Sequence, residues 1–146
     1  MDARSGLIGS WRLVSFELEG TDGSISHPYG EELMGYLFYN EDGYMSSAFM
    51  SADRANAQGT DLSEAGRSNT YDQFMAYCGG YTVDGDKIRH RVEVSSLAVW
   101  NGTIQERWFK LDGDRLELLT APLSVGSEAP VGRLVWERST QAVLPS

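Results

Sequence analysis

In the stretch "KIRHRVEVS" the alternating set Ile88, His90, Val92 and Val94 is apolar except for the histidine, while Arg89, Arg91 and Glu93 form the other set. Successive strand residues point to opposite sides, so this pattern turns His90 toward an apolar interior. A histidine there titrates near neutral pH and can move a proton. In "TIQERWFKL" the set Gln105, Arg107, Phe109 and Leu111 opposes Ile104, Glu106, Trp108 and Lys110. The first set ends in two apolar residues and the second surrounds Trp108 with charge, so Arg107 is expected inside. An enclosed guanidinium can stabilise an enolate or grip a carboxylate through two parallel hydrogen bonds. By the same alternation Leu37 and Tyr39, then Met45, Ser47 and Phe49, then Tyr77 and Tyr81 are assigned inward.

Read as chemistry, His90, Arg107 and Tyr81 are the proton-transfer and polarising groups. Tyr39, Met45, Phe49, Phe74, Tyr77, Val92, Trp100 and Phe109 are the walls of a cavity holding a hydrophobic or amphipathic small molecule. Such a set suits cofactor-free isomerisation or cyclisation, of the kind natural-product biosynthesis uses; a carrier that binds without chemistry is the alternative. Each residue also has a plainer reading. His90 is equally well a core histidine satisfied by a neighbouring Tyr or Glu, Arg107 the partner of an interior carboxylate or of backbone carbonyls, and the tyrosines packing residues with one tethered hydroxyl.

Other schemes lack their residues. The histidines are His27 and His90 alone, without His-x-His or His-Glu-x-x-His spacing, so no metal site is expected. The lone Cys78 excludes an intrachain disulfide and suits a reducing, cytoplasmic setting. There is no Gly-x-Ser-x-Gly elbow, phosphate loop or dinucleotide fingerprint, so no cofactor is expected. A formal net charge of −9 without a Lys/Arg cluster argues against nucleic acid and against an anionic membrane surface. No apolar run approaches membrane-spanning length, and the N-terminus does not read as a leader peptide. A homodimer through surface aromatics such as Trp108 or Tyr36 stays open.

The elements that position these residues are strands. Asp-Gly or Asn-Gly recurs at residues 22–23, 42–43, 84–85, 101–102 and 112–113, each between β-rich stretches, and reads as hairpin punctuation of type I′. The glycosylation-like "NGT" at Asn101 is read as one of these turns. Strands are expected over roughly 9–19, 34–40, 44–50, 77–83, 87–95, 103–111, 115–121 and 132–139, with a short one near Ile25. Only 61–76 looks helical, with Asp61 and Glu64 resembling a capping box. The 146 residues, 41% of them hydrophobic, are expected to form one domain over 1–146: all-β, an antiparallel up-and-down barrel of roughly eight to ten strands with one or two short helices.

"GSWRLVSFE", "GYLFYNEDGYMSSAFM", "AYCGGYTVDGDKIRHRVEVS", "GTIQERWFKLDGDRLELLT" and "GRLVWERS", in that order, resemble the lipocalin-like domain family of bacteria and fungi, small calycin-type barrels. The resemblance runs from about Leu7 to Arg138. It implies a central cavity, and it implies that Trp11 of Gly9-Ser10-Trp11 packs under Arg138 of the last strand, closing the barrel by a contact worth about 0.5–2 kcal/mol. The family includes carriers as well as cofactor-free cyclases and isomerases.

Overall fold

The computed structural model describes residues 3–52, 74–123 and 129–140. A short helix α1 (Ala3–Leu7) precedes β1 (Gly9–Glu19), β2 (Ile25–Ser26), β3 (Leu33–Tyr39), β4 (Tyr44–Ser51), β5 (Phe74–Asp84), β6 (Lys87–Ser95), β7 (Ile104–Asp112), β8 (Arg115–Thr120) and β9 (Val131–Arg138). From β3 onward each strand pairs antiparallel with the next, β3 returns to β1, and β9 pairs with β1. Eight strands thus close into an up-and-down barrel, with β2 hanging on the edge of β1. Closure leaves no unpaired ladder among the eight, which is why so short a chain can enclose an interior.

The turns follow glycine, though not by the expected geometry. Type I′ needs positive φ at both central residues, and among the described residues every positive φ belongs to a glycine. Register shows why: Asp84 pairs with Lys87 and Asp112 with Arg115, so the aspartates end strands and the two-residue loops are Gly85-Asp86 and Gly113-Asp114. With glycine first and its φ near +60°, these are turns of the II′ pattern. Asn101-Gly102 is a type II turn, Asn101 having φ −59° and ψ 128°.

The expected helix over 61–76 falls mostly outside the described residues, and its last part is corrected. Phe74, Met75 and Ala76 begin β5, paired with Met50, Phe49 and Ala48. A ladder partner on β4 outweighs a weak local helical pattern. Two bulges also change the phase of the alternation. In β1 the register shifts between Leu13 and Ser15, leaving Val14 outside and returning Phe16 and Leu18 to the interior. In β6 Gly79 pairs with Val92 and Cys78 with Val94, which makes Glu93 the extra residue. Val94, expected inside, is therefore outside and 64% exposed. Gly79 permits this, since a Cβ there would lie 1.9 Å from the Arg91 carbonyl oxygen.

One end of the barrel is sealed. The Arg138 guanidinium stacks 4.3 Å from the centre of the Trp11 ring and donates to the carbonyls of Ile8 (3.0 Å) and Gly6 (2.7 Å). The Trp11 indole N–H donates to Leu7 O at 2.9 Å, so α1 is fastened over this floor from both sides. Leu7 and Trp11 are fully buried. Arg138→Ala removes the stack and strands two carbonyls, and is expected to lower stability by about 2–4 kcal/mol in urea denaturation. Asp114→Ala, which removes an ion pair to a side chain 86% exposed, is expected to cost less than about 0.5 kcal/mol. Equal costs for the two would refute the lock.

Candidate functional site

Above the floor lies a cavity of about 290 Å³, at the small end of ligand pockets. Its wall is mainly apolar, with Leu37, Met75, Leu118 and Leu134 among the side chains on it. Toward the mouth Phe16, Tyr29 and Phe49 form an aromatic trio with ring centres 5.3–5.7 Å apart. Trp100, carried on a 3-10 turn at Ala98–Trp100, meets the Tyr77 ring edge-on at 5.8 Å. No Asp or Glu is among the described residues of the wall.

The polar side chains form a chain from floor to cavity. Tyr81 donates to Asn40 O at 2.7 Å and packs against Tyr39 with ring centres 4.8 Å apart and planes tilted by 58°. The Tyr39 hydroxyl is 2.7 Å from His90 Nε2, and the Tyr77 hydroxyl is 2.7 Å from His90 Nδ1. The Arg107 guanidinium shares the cavity wall with Tyr77, where its charge acts on the hydroxyl, and donates to Glu106 O at 2.9 Å. His90, Tyr77 and Arg107 are on the cavity wall, and all are buried.

Burial sets the protonation states. Loss of solvation, with the Arg107 charge adding to it, holds the His90 pKa well below its usual 6.5, so the ring is neutral. Tyr39 is pushed well above 10, chiefly by burial. Burial also raises Tyr77, against the opposing pull of Arg107. Tyr81 is raised mainly by desolvation. All three tyrosines therefore keep their protons at neutral pH.

Of the residues singled out in the sequence, His90, Arg107, Tyr77, Phe49 and Trp100 meet at the cavity, and Tyr39 joins through His90. Tyr81, Met45, Val92 and Phe109 pack in or against the core without being on the cavity wall. Tyr81 and Met45 lie toward the sealed end, Tyr81 with Arg4 of α1 over its ring and Met45 paired with Tyr39. Phe74 stands on the outer face beside Cys78 and Val94, its neighbour Met75 taking the inner position. Sequence reasoning passed over Phe16 and Tyr29; the alternation of Phe16 with Leu18 was the available signal, obscured by the bulge at Val14. Among the described residues no group of His, Cys, Asp or Glu could hold a metal ion, and no helix is long and apolar enough to cross a membrane.

A closed eight-stranded antiparallel barrel, locked at one end and hollow above, defines a calycin-type architecture. The chain belongs to the family of lipocalin-like domains, whose profile matches residues 8–139. The 4'-hydroxy-3'-methoxypropiophenone carrier protein ppsC of Aspergillus oryzae is 35% identical over 74 residues, 44% of this chain and 67% of that protein. A lipocalin-like protein of Bacteroides uniformis superposes with a TM-score of 0.50 at 12% identity, covering 92% of this chain and 99% of its own. At that identity the likeness shows the shared fold. An uncharacterized protein of Bacteroides eggerthii gives 0.48 at 10% identity over 91% and 99%.

A histidine neutral in the fold and basic when unfolded makes stability depend on pH. Its folded pKa is depressed, so the unfolded chain binds the extra proton below 6.5 and stability falls as pH drops through that value. Between pH 6.5 and 5 His90 is expected to contribute a slope of up to about 1.4 kcal/mol per pH unit. His90→Gln should flatten urea-derived stability in that window. The same slope in wild type and variant would show that His90 is not the group held neutral.

Proposed function

We propose that the barrel binds a small, largely apolar aromatic molecule in its cavity and carries it without altering it. The observation that supports this best is the state of the cavity's histidine: His90 is neutral and has a tyrosine hydroxyl on each ring nitrogen. With both nitrogens engaged it is held as a scaffold and is poorly placed to abstract a substrate proton directly. The Phe16–Tyr29–Phe49 trio and Trp100 offer ring edges and faces to an aromatic guest. Similarity to a 4'-hydroxy-3'-methoxypropiophenone carrier protein accords with this reading.

A second reading, cofactor-free isomerisation or cyclisation, draws on a different observation. The hydroxyl–imidazole–hydroxyl chain ends at Tyr77 beside Arg107, where a proton and a positive charge meet an apolar space. Those are groups that can polarise a carbonyl or stabilise an enolate.

Titration calorimetry with 4'-hydroxy-3'-methoxypropiophenone and unsubstituted propiophenone, followed by chromatography and mass spectrometry of the recovered compound, separates the two readings. Carriage predicts binding and quantitative return of unchanged compound after prolonged incubation. Phe49→Asp, which places a charge on the apolar wall, is expected to weaken binding more than about tenfold. A rearranged product dependent on protein would replace carriage with catalysis. Absence of binding by any such aromatic would overturn the cavity reading.

A further inference from the structure

The protons of the Tyr39–His90–Tyr77 chain can be counted, and the count orients the site. A neutral imidazole has one N–H and one bare nitrogen, and each tyrosine has one O–H. Were the proton on Nε2, it would be donated to the Tyr39 oxygen, and Tyr77 would donate to Nδ1. The Tyr39 O–H would then need an acceptor. Tyr39 is 1% exposed and off the cavity, and its hydroxyl has no other hydrogen-bond partner than His90 among the described residues. A buried donor left unpaired is costly. With the proton on Nδ1, Tyr39 donates to Nε2, Nδ1–H donates to the Tyr77 oxygen, and every group behind the wall is satisfied. The one proton left over is the Tyr77 O–H, and Tyr77 is on the wall.

Arg107 stands beside it with N–H groups to spare. Its acceptor among the described residues is the Glu106 carbonyl, against a guanidinium's five donors. Among the described residues it makes no ion pair to a carboxylate, although it is buried, and the described wall holds no Asp or Glu. Ser47, also on the wall, can donate or accept. Trp136 repeats the imbalance, its buried indole N–H being without an acceptor among the described residues.

From this we infer that Tyr77 O–H and the Arg107 guanidinium act as a paired donor pole, which selects ligands carrying an acceptor-only oxygen, a ketone or ester carbonyl or an enolate or carboxylate oxygen, on an otherwise apolar body. The pole refuses ammonium and other donor-only groups, because it offers them positive charge and hydrogens. This deepens the proposed binding function and rests on the cavity being the binding site.

The test compares propiophenone, propylbenzene (the same skeleton with a methylene for the carbonyl) and 3-phenylpropylammonium by calorimetry. The ketone is expected to bind at least about tenfold more tightly than propylbenzene, and the ammonium not measurably. Tyr77→Phe and Arg107→Met should each shrink the ketone's advantage over propylbenzene, measured on the same variant, to less than about threefold. Long-range ¹H–¹⁵N spectra of the wild-type protein should show His90 protonated on Nδ1. Equal affinity for ketone and propylbenzene, or a proton on Nε2, would overturn the donor pole while leaving the cavity reading intact. Failure of all three compounds to bind would overturn both.

Discussion

The contact on which the interior depends is the one between the two ends of the barrel. Arg138, at the end of β9, lies over Trp11 near the start of β1, and its remaining donors hold the carbonyls of α1 and the residue after it. A cation over an aromatic face is a modest interaction when exposed and a stronger one when water is excluded. Here it works together with the β1–β9 ladder, so neither has to close the barrel alone. Glycine makes the approach possible: Gly9 has φ 132°, and a Cβ there would stand 3.0 Å from the Arg138 guanidinium. Sealing this end keeps solvent from the polar side chains packed between floor and cavity, which must therefore find their hydrogen-bond partners within the chain.

That requirement explains why the interior polar residues occur as a connected set. An isolated buried histidine would be a liability, as would an isolated buried tyrosine hydroxyl or guanidinium. Joined, Tyr39, His90 and Tyr77 satisfy one another from the floor upward, with Tyr81 tilted against Tyr39 and anchored separately to a main-chain carbonyl, and with Arg107 beside Tyr77 on the wall. Conformation follows from the same set. Two tyrosine hydroxyls on opposite nitrogens fix the imidazole plane, and the ring fixes them in turn, so the cavity wall is ordered by hydrogen bonds as well as by packing.

Much of this architecture was legible in the sequence, because period-two alternation and glycine punctuation are local signals. The alternation gave faces but not depth. Tyr77 and Tyr81 share a face, yet four residues of strand separate them by about 13 Å, and one is on the cavity while the other lies beneath α1. Met45 and Phe49 divide in the same way. Nor did alternation anticipate a change of phase: Val94 faces outward because Glu93 is an inserted residue, and the hint was the "CGG" triplet at residues 78–80, where only glycine tolerates the Arg91 carbonyl. Phe74 was misassigned because its strand was read as a helix, which hid that Met75 takes the inward position. The Tyr–His–Tyr chain could not be seen at all, since it joins residues 51 and 13 positions apart across different strands.

Arg107 is where stability and binding pull against each other. A guanidinium enclosed with no carboxylate among its described neighbours keeps only part of the hydrogen bonding it had in water, and a methionine at that position would line the wall without that loss. The Arg107 charge also adds to burial in holding the neighbouring His90 neutral. An enclosed charge of this kind makes physical sense where it is completed by something that enters the cavity. On the binding reading proposed above, an oxygen-bearing guest supplies the acceptors that the wall lacks, and the protein gains from the guest the stabilisation it forgoes when empty.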